Sequence, residues 1–157
     1  MSQNDLLRHT VATLAYRAGK AMRGAPAEFA NFRAGEGGRT PAEIVAHMSD
    51  LFDWALALAD GKHFWRTSPP LEWEAGEARF FAALEAFDRR LASDQPLAAQ
   101  PEKLFQGPIA DALTHTGQIA MLRRMAVAAV RGENYFKAEI VAGRVGAEQA
   151  APRVEFE

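Results

Sequence analysis

Thr40-Pro41-Ala42-Glu43-Ile44-Val45-Ala46-His47-Met48 is the stretch from which the organisation of the chain can be read. Thr40 is placed to cap a helix, and Pro41 takes the first helical position, where its missing N–H costs nothing. Glu43 stands three residues after the cap, so its carboxylate can reach back to the cap's own N–H in a capping box. Ile44, Met48, Leu51, Ala55 and Leu58 follow at helical spacing, and Asp60-Gly61 closes the run. One amphipathic helix with a marked start and stop is expected here.

The rest of the chain divides in the same way. Prolines at positions 26, 41, 69, 70, 96, 101, 108 and 152 punctuate it, because a proline inside a helix removes a hydrogen bond and crowds the preceding turn. Between them a first block, from about Asn4 to Arg23, puts Leu7, Val11, Leu14, Ala18 and Met22 on one stripe and ends at Gly24. A third, from about Leu71 to Ser93, stacks Phe80, Leu84, Phe87 and Leu91. The fourth starts near Pro108 and runs through Ile109, Ala112, Ile119, Leu122 and Met125 to Arg131-Gly132. Strand signals are nearly absent. The expected fold class is therefore all-α, a four-helix bundle occupying residues 1–157 as a single domain. Its connections are unequal: Gly24 to Arg39 is long and Gly-rich, Lys62 to Pro70 is aromatic, and Asp94 to Gly107 is polar with two prolines. Such loops allow neighbours that do not simply alternate up and down. Glu133 to Ile140 reads as a short fifth helix and Ala147 to Glu157 as a tail.

Composition narrows the function. With 157 residues, 48% hydrophobic and 24% charged, the chain resembles an ordinary globular domain that folds by burial. Eighteen Lys and Arg against 20 Asp and Glu give a net charge of -2, so no electrostatic footprint for nucleic acid is visible. Gly35, Gly37 and Gly38 follow no strand and match no phosphate-binding pattern; they read as a flexible loop. The absence of cysteine removes disulfides, thiolate metal sites and thiol nucleophiles together. Any metal must be held by His and carboxylates. The longest run without Lys, Arg, Asp or Glu, Ala112 to Leu122, is too short for a bilayer span of about 20 residues. The opening Met1-Ser2-Gln3-Asn4-Asp5 lacks a signal-peptide pattern. A cytoplasmic protein with no membrane partner is expected.

Four histidines are present, His9, His47, His63 and His115. His47 lies within about 60° of Ile44, Leu51, Trp54 and Leu58 around its helix, so it is expected to point inward. Asp111 and His115 are four residues apart, about 40° around the axis, with Gln118 and Leu122 continuing the stripe. Three groups able to bind a divalent metal thus face the core from two helices. Two imidazoles and one carboxylate leave coordination positions open, as in catalytic zinc and non-haem iron sites. The blander readings stand beside this one. A single inward His is commonly a hydrogen-bonded core residue, Asp111 suits the first turn of a helix, and Asp111 and His115 can simply pair. His9 is expected to be solvated. His63, in His63-Phe64-Trp65, lines a pocket mouth or merely covers the bundle end. Trp54 walls a pocket or packs in the core, Gln118 contacts a substrate or a water, and Arg123-Arg124 suit a helix C-terminus.

Thr40 to Met48, the segment Gly107-Pro108-Ile109-Ala110-Asp111-Ala112-Leu113-Thr114-His115-Thr116-Gly117-Gln118, and Glu133-Asn134-Tyr135-Phe136 with Gly143-Arg144-Val145-Gly146 resemble the DinB-like superfamily of small bacterial proteins. The resemblance runs from about Thr40 to Gly146. It implies a four-helix bundle in which one His of the second helix and a pair spaced by four on the last helix hold a divalent metal, often nickel or zinc. His47 and His115 match the first and last ligands. Asp111 departs from the His that many members carry, and as a harder ligand it shifts the expected metal toward iron, manganese or zinc. Characterised members activate a low-molecular-weight thiol, such as bacillithiol or mycothiol, for transfer to an electrophile, or isomerise maleylpyruvate. The implied function is a metal-dependent thiol transfer to a small-molecule substrate, or a hydrolysis; the long apolar faces separately lead to the expectation of a homodimer. The alternative is a non-catalytic dimeric binding or stress-response module with a structural or empty site.

Overall fold

A computed structural model describes residues 2–126 and 129–156, and among these the chain is all-helical. Helix α1 spans Gln3–Met22, α2 spans Pro41–Ala59 and α3 spans Trp73–Ala92. The fourth rod consists of a single turn α4 (Pro101–Leu104), a π turn (Phe105–Ile109) and the long helix α5 (Ala110–Ala126). Short 3-10 turns lie at Ala27–Asn31 and Tyr135–Lys137. No helix among the described residues is long and apolar enough to cross a membrane.

The helix ends follow their local chemistry. The capping box expected at Thr40 is formed: Glu43 N donates to Thr40 Oγ1 at 3.2 Å and Thr40 N to Glu43 Oε2 at 2.7 Å. A second box, with Ser2 as cap and Asp5 reaching back, starts α1. Gly24 and Gly61 adopt φ of 75° and 74° just after α1 and α2, a left-handed conformation in which any side chain would be strained.

Each helix meets two neighbours, α3 and α5 flanking α1 on one side and α2 on the other. The long first connection therefore joins opposite corners of the bundle, as its length permits. The stripes meet in one core. Leu7, Val11, Leu14, Ala18 and Met22 are buried on α1, Ile44, Met48, Leu51 and Ala55 on α2, and Phe80, Leu84, Phe87 and Leu91 on α3. Burying each large apolar side chain stabilises the fold by about 1.5–3 kcal/mol. Phe29, fully buried, pins the first connection against this core.

Several expectations need correction. The fourth helical rod begins at Pro101, not near Pro108. Pro108 sits inside the rod because the π turn widens the backbone there, where proline has no N–H to offer the previous turn. Its α-helical part is described as far as Ala126, 127 and 128 lie outside the described residues, and residues 129–132 are not helical, so the rod stops short of Arg131-Gly132. Met125, placed on the core stripe by periodicity, is 55% exposed.

The segment expected as a fifth helix makes one 3-10 turn, because the Asn134 side chain accepts from Phe136 N and Glu133 is drawn into the interior. The expected tail is tied down. Asn134 N donates to Val154 O and Phe156 N to Gly132 O, closing a bridge between Glu133 and Glu155. Arg123 does more than suit its own helix end: its Nη1 donates to the Ala21 and Arg23 carbonyls at 3.1 and 2.6 Å, satisfying acceptors at the end of α1.

Candidate metal centre

His47 lies in the second turn of α2, and Asp111 and His115 occupy successive turns at the start of α5. Packing of α2 against α5 brings the three together. His47 Nε2 stands 3.3 Å from Asp111 Oδ2, and His115 Nε2 stands 3.5 Å from Asp111 Oδ1. The two imidazole rings are 4.7 Å apart, centroid to centroid, and nearly perpendicular at 84°. One ligand atom from each residue falls within 4.8 Å of the others. The trio does not lie in the middle of the bundle, as the inward stripes suggested. The side chains of His47 and His115 are 21% and 12% exposed, and that of Asp111 is 46% exposed. The site opens on the flank between α2 and α5.

Donor distances and tautomers suit a cation. Nitrogen and oxygen ligands about 2.0–2.2 Å from a shared ion stand about 3–3.5 Å from one another, whereas a good N–H···O bond is about 2.9 Å long. The contacts of Asp111 with the two imidazoles fall in the former range. Gln118 Oε1 lies 2.7 Å from His115 Nδ1. A carbonyl oxygen accepts, so Nδ1 is the donor in this pair and Nε2 is the nitrogen turned toward Asp111. A cation between the two imidazoles and the carboxylate would satisfy this arrangement, as would N–H donation from the rings to Asp111. Burial pushes the His47 imidazolium below its ordinary pKa; the Asp111 contact opposes this, while His115 and Arg39 add to it. Neutral imidazole is the form that binds metals.

A second ring of residues supports the site, and the sequence did not single it out. Asp50, three residues after His47, accepts from Ser68 N at 2.8 Å, Ser68 Oγ at 2.7 Å and Arg79 at 2.7 Å. Its buried carboxylate anchors the connection between α2 and α3 at Ser68, and the same connection carries Trp65. That ring meets His47 edge-on at 5.7 Å. Burial alone would raise the Asp50 pKa, but Arg79 and Ser68 outweigh it and hold the carboxyl below its ordinary value.

Two clefts meet at His47. One, of about 440 Å³, is lined by Arg33, Gly37, Gly38, Arg39, Glu43, His47, Asp50, Thr67, Ser68 and Pro70. The other, of about 620 Å³, is lined by Ala34, Gly38, Arg39, Ile44, His47, His115, Gln118, Met121, Leu122 and Met125. The Gly-rich end of the first connection forms a wall common to both. Gln118 therefore lines a cleft as expected and also orients His115. Trp54 and His63 line neither cleft. Trp54 packs edge-on against Trp65 at 5.8 Å and His63 at 6.3 Å, standing behind the aromatic wall instead of forming it. His63 and His9 are exposed. Arg39 and Met121 were missed, and Met125 was read as core, because periodicity finds stripes that pack, whereas these residues border open space. No family model, curated protein or solved structure matches the chain.

Proposed function

We propose that this protein is a divalent-metal enzyme of the DinB-like type, with His47, Asp111 and His115 as ligands and the two clefts as the route for a small-molecule substrate. The observation that carries the reading is the convergence of three donors from two helices: one ligand atom each of His47, Asp111 and His115 lies within 4.8 Å of the others, and Gln118 Oε1, 2.7 Å from His115 Nδ1, turns Nε2 toward Asp111. A nickel, zinc, iron or manganese ion at these donors would lower the pKa of a thiol or water, supplying a nucleophile at neutral pH. The chain has no cysteine, so a thiol used here comes from outside, as a low-molecular-weight thiol delivered through a cleft and transferred to an electrophile. Hydrolysis uses the same donors with water. The residues' own tasks are separable. Asp111 supplies the charged donor, the two imidazoles supply neutral ones, Gln118 orients the ring of His115, and Trp65 packs edge-on against His47.

A second reading has its own support. Asp111 contacts both histidines, so the three side chains can form a self-contained polar cluster in a non-catalytic module. Elemental analysis of untagged protein prepared without chelator separates the two. Near-stoichiometric metal, lost in His47→Ala, Asp111→Ala and His115→Ala, is the outcome expected for the enzyme. A folded protein that refuses nickel, zinc, iron and manganese would establish the polar cluster instead.

A further inference from the structure

We infer that Arg39 is a substrate-recognition residue, and that the ligand entering these clefts is a small carboxylate with an apolar body. This rests on the metal-centre reading only for what the other end of the ligand meets.

Arg39 borders both clefts at the point where they join beside His47. The other charged groups around it are already engaged. Arg33 donates to the Gly38 carbonyl at 2.7 Å and lies 3.6 Å from Glu43. Glu43 closes the capping box, and Asp50 holds Ser68 and Arg79. Among the described residues Arg39 makes no hydrogen bond or ion pair, while the cleft's carboxylates are satisfied. Its backbone is fixed nonetheless, because the next residue, Thr40, is the buried cap of α2. A guanidinium with five donors on a fixed base matches a carboxylate in geometry and charge.

The larger cleft supplies the other half of the argument. Beside Arg39 it offers Ile44, Leu122 and two methionines, Met121 and Met125, that are 58% and 55% exposed. Exposed unbranched thioether side chains adapt to apolar ligands of varied shape. From Thr40 to His47 the helix rises about 10 Å. Ile44, about one turn before His47 and lining the same cleft, gives an apolar contact for the body of a ligand whose anion meets Arg39. An ion on two neutral imidazoles and one carboxylate would also retain a net positive charge, which favours anionic over neutral ligands in the same space.

The test has two arms. In metal-free protein, hexanoate and hexanol are titrated by NMR; hexanoate is expected to bind about tenfold more tightly, with Arg39→Gln abolishing the preference and Arg39→Lys retaining part of it. Equal binding of the two, or a preference that survives Arg39→Gln, overturns the inference. In cobalt-loaded protein, mercaptohexanoate and mercaptohexanol are titrated by the thiolate-to-cobalt absorption band. Both are expected to produce the band, mercaptohexanoate at the lower concentration. Equal concentrations overturn the role of Arg39 while leaving the metal centre standing. Failure to load cobalt, or no band with either thiol, overturns the metal-centre reading, and the hexanoate arm then decides on Arg39 alone.

Discussion

At the scale of single residues, Gln118 offers a sharp handle on the site, because it touches His115 and does no core packing of its own. Gln118→Ala leaves all three donors in place but frees the imidazole to rotate and change tautomer. The expected result is a roughly 10- to 100-fold loss of metal affinity, read by competition with a chromogenic chelator, with thermal stability of the metal-free protein unchanged. That these three residues come together was legible in the sequence. His47 falls on an apolar stripe, and Asp111 and His115 recur at a helical turn. Their depth was not legible, because periodicity gives an angle around an axis and not a distance from the surface. Asp111 keeps the angle expected of it yet leaves 46% of its side chain exposed. Gln118 was visible as a member of the stripe, but its partner atom follows from the His115 rotamer.

At the scale of elements, the instructive case is the connection between α2 and α3. It was read as an aromatic loop, and its anchor, Asp50, was passed over because an acidic residue on a helix is normally solvated. Here it is buried, with Ser68 and Arg79 around it. Asp50→Asn should destabilise the protein by about 3 kcal/mol near neutral pH, as expected when one partner of a buried pair is removed. The folded carboxyl lies below its ordinary value of 3.8, so its contribution is present above that pH and disappears as pH falls through the lower folded value. The gap in Tm between wild type and Asp50→Asn is expected to be widest above about pH 5 and to narrow below pH 3.8. A gap independent of pH would show that the charge plays no part. Pro108 teaches the complementary lesson. Proline marks helix starts and is also tolerated in a π turn, and residue type alone does not distinguish the two.

The whole molecule is closed by contacts that no local pattern announces. Tyr16 Oη donates to Glu133 at 2.5 Å and Lys20 Nζ donates to the same carboxylate at 2.7 Å, linking residues 117 and 113 positions apart. Lys20 also reaches Glu155 at 2.9 Å. Burial, aided by Glu133, pushes the Tyr16 phenol above its ordinary pKa and keeps it a donor. Burial opposes the charge on Lys20, but Glu133 and Glu155 outweigh it and raise its pKa. This cluster converts the expected fifth helix and tail into a strap across α1. Glu133→Ala should cost about 3–5 kcal/mol, since it strands a buried phenol and weakens a buried ammonium's pairing, and hydrogen exchange should report release of residues 133–155. Undiminished protection there would mean that the strap is held by Val145 and the backbone bridge instead.

The open side of Asp111 reaches beyond affinity. An ion held by two sheltered imidazoles and one solvent-facing carboxylate would have a path to bulk water that requires no unfolding, so it would exchange while the bundle stays intact. Occupancy would then track supply. Divalent ions compete for nitrogen and oxygen donors in an order set by their own chemistry, and a centre that equilibrates with its surroundings takes up whatever the local pool offers most strongly. On this footing a bound metal would be a joint property of the fold and of the surrounding metal supply, and the same polypeptide grown under different supply would emerge with different metal contents.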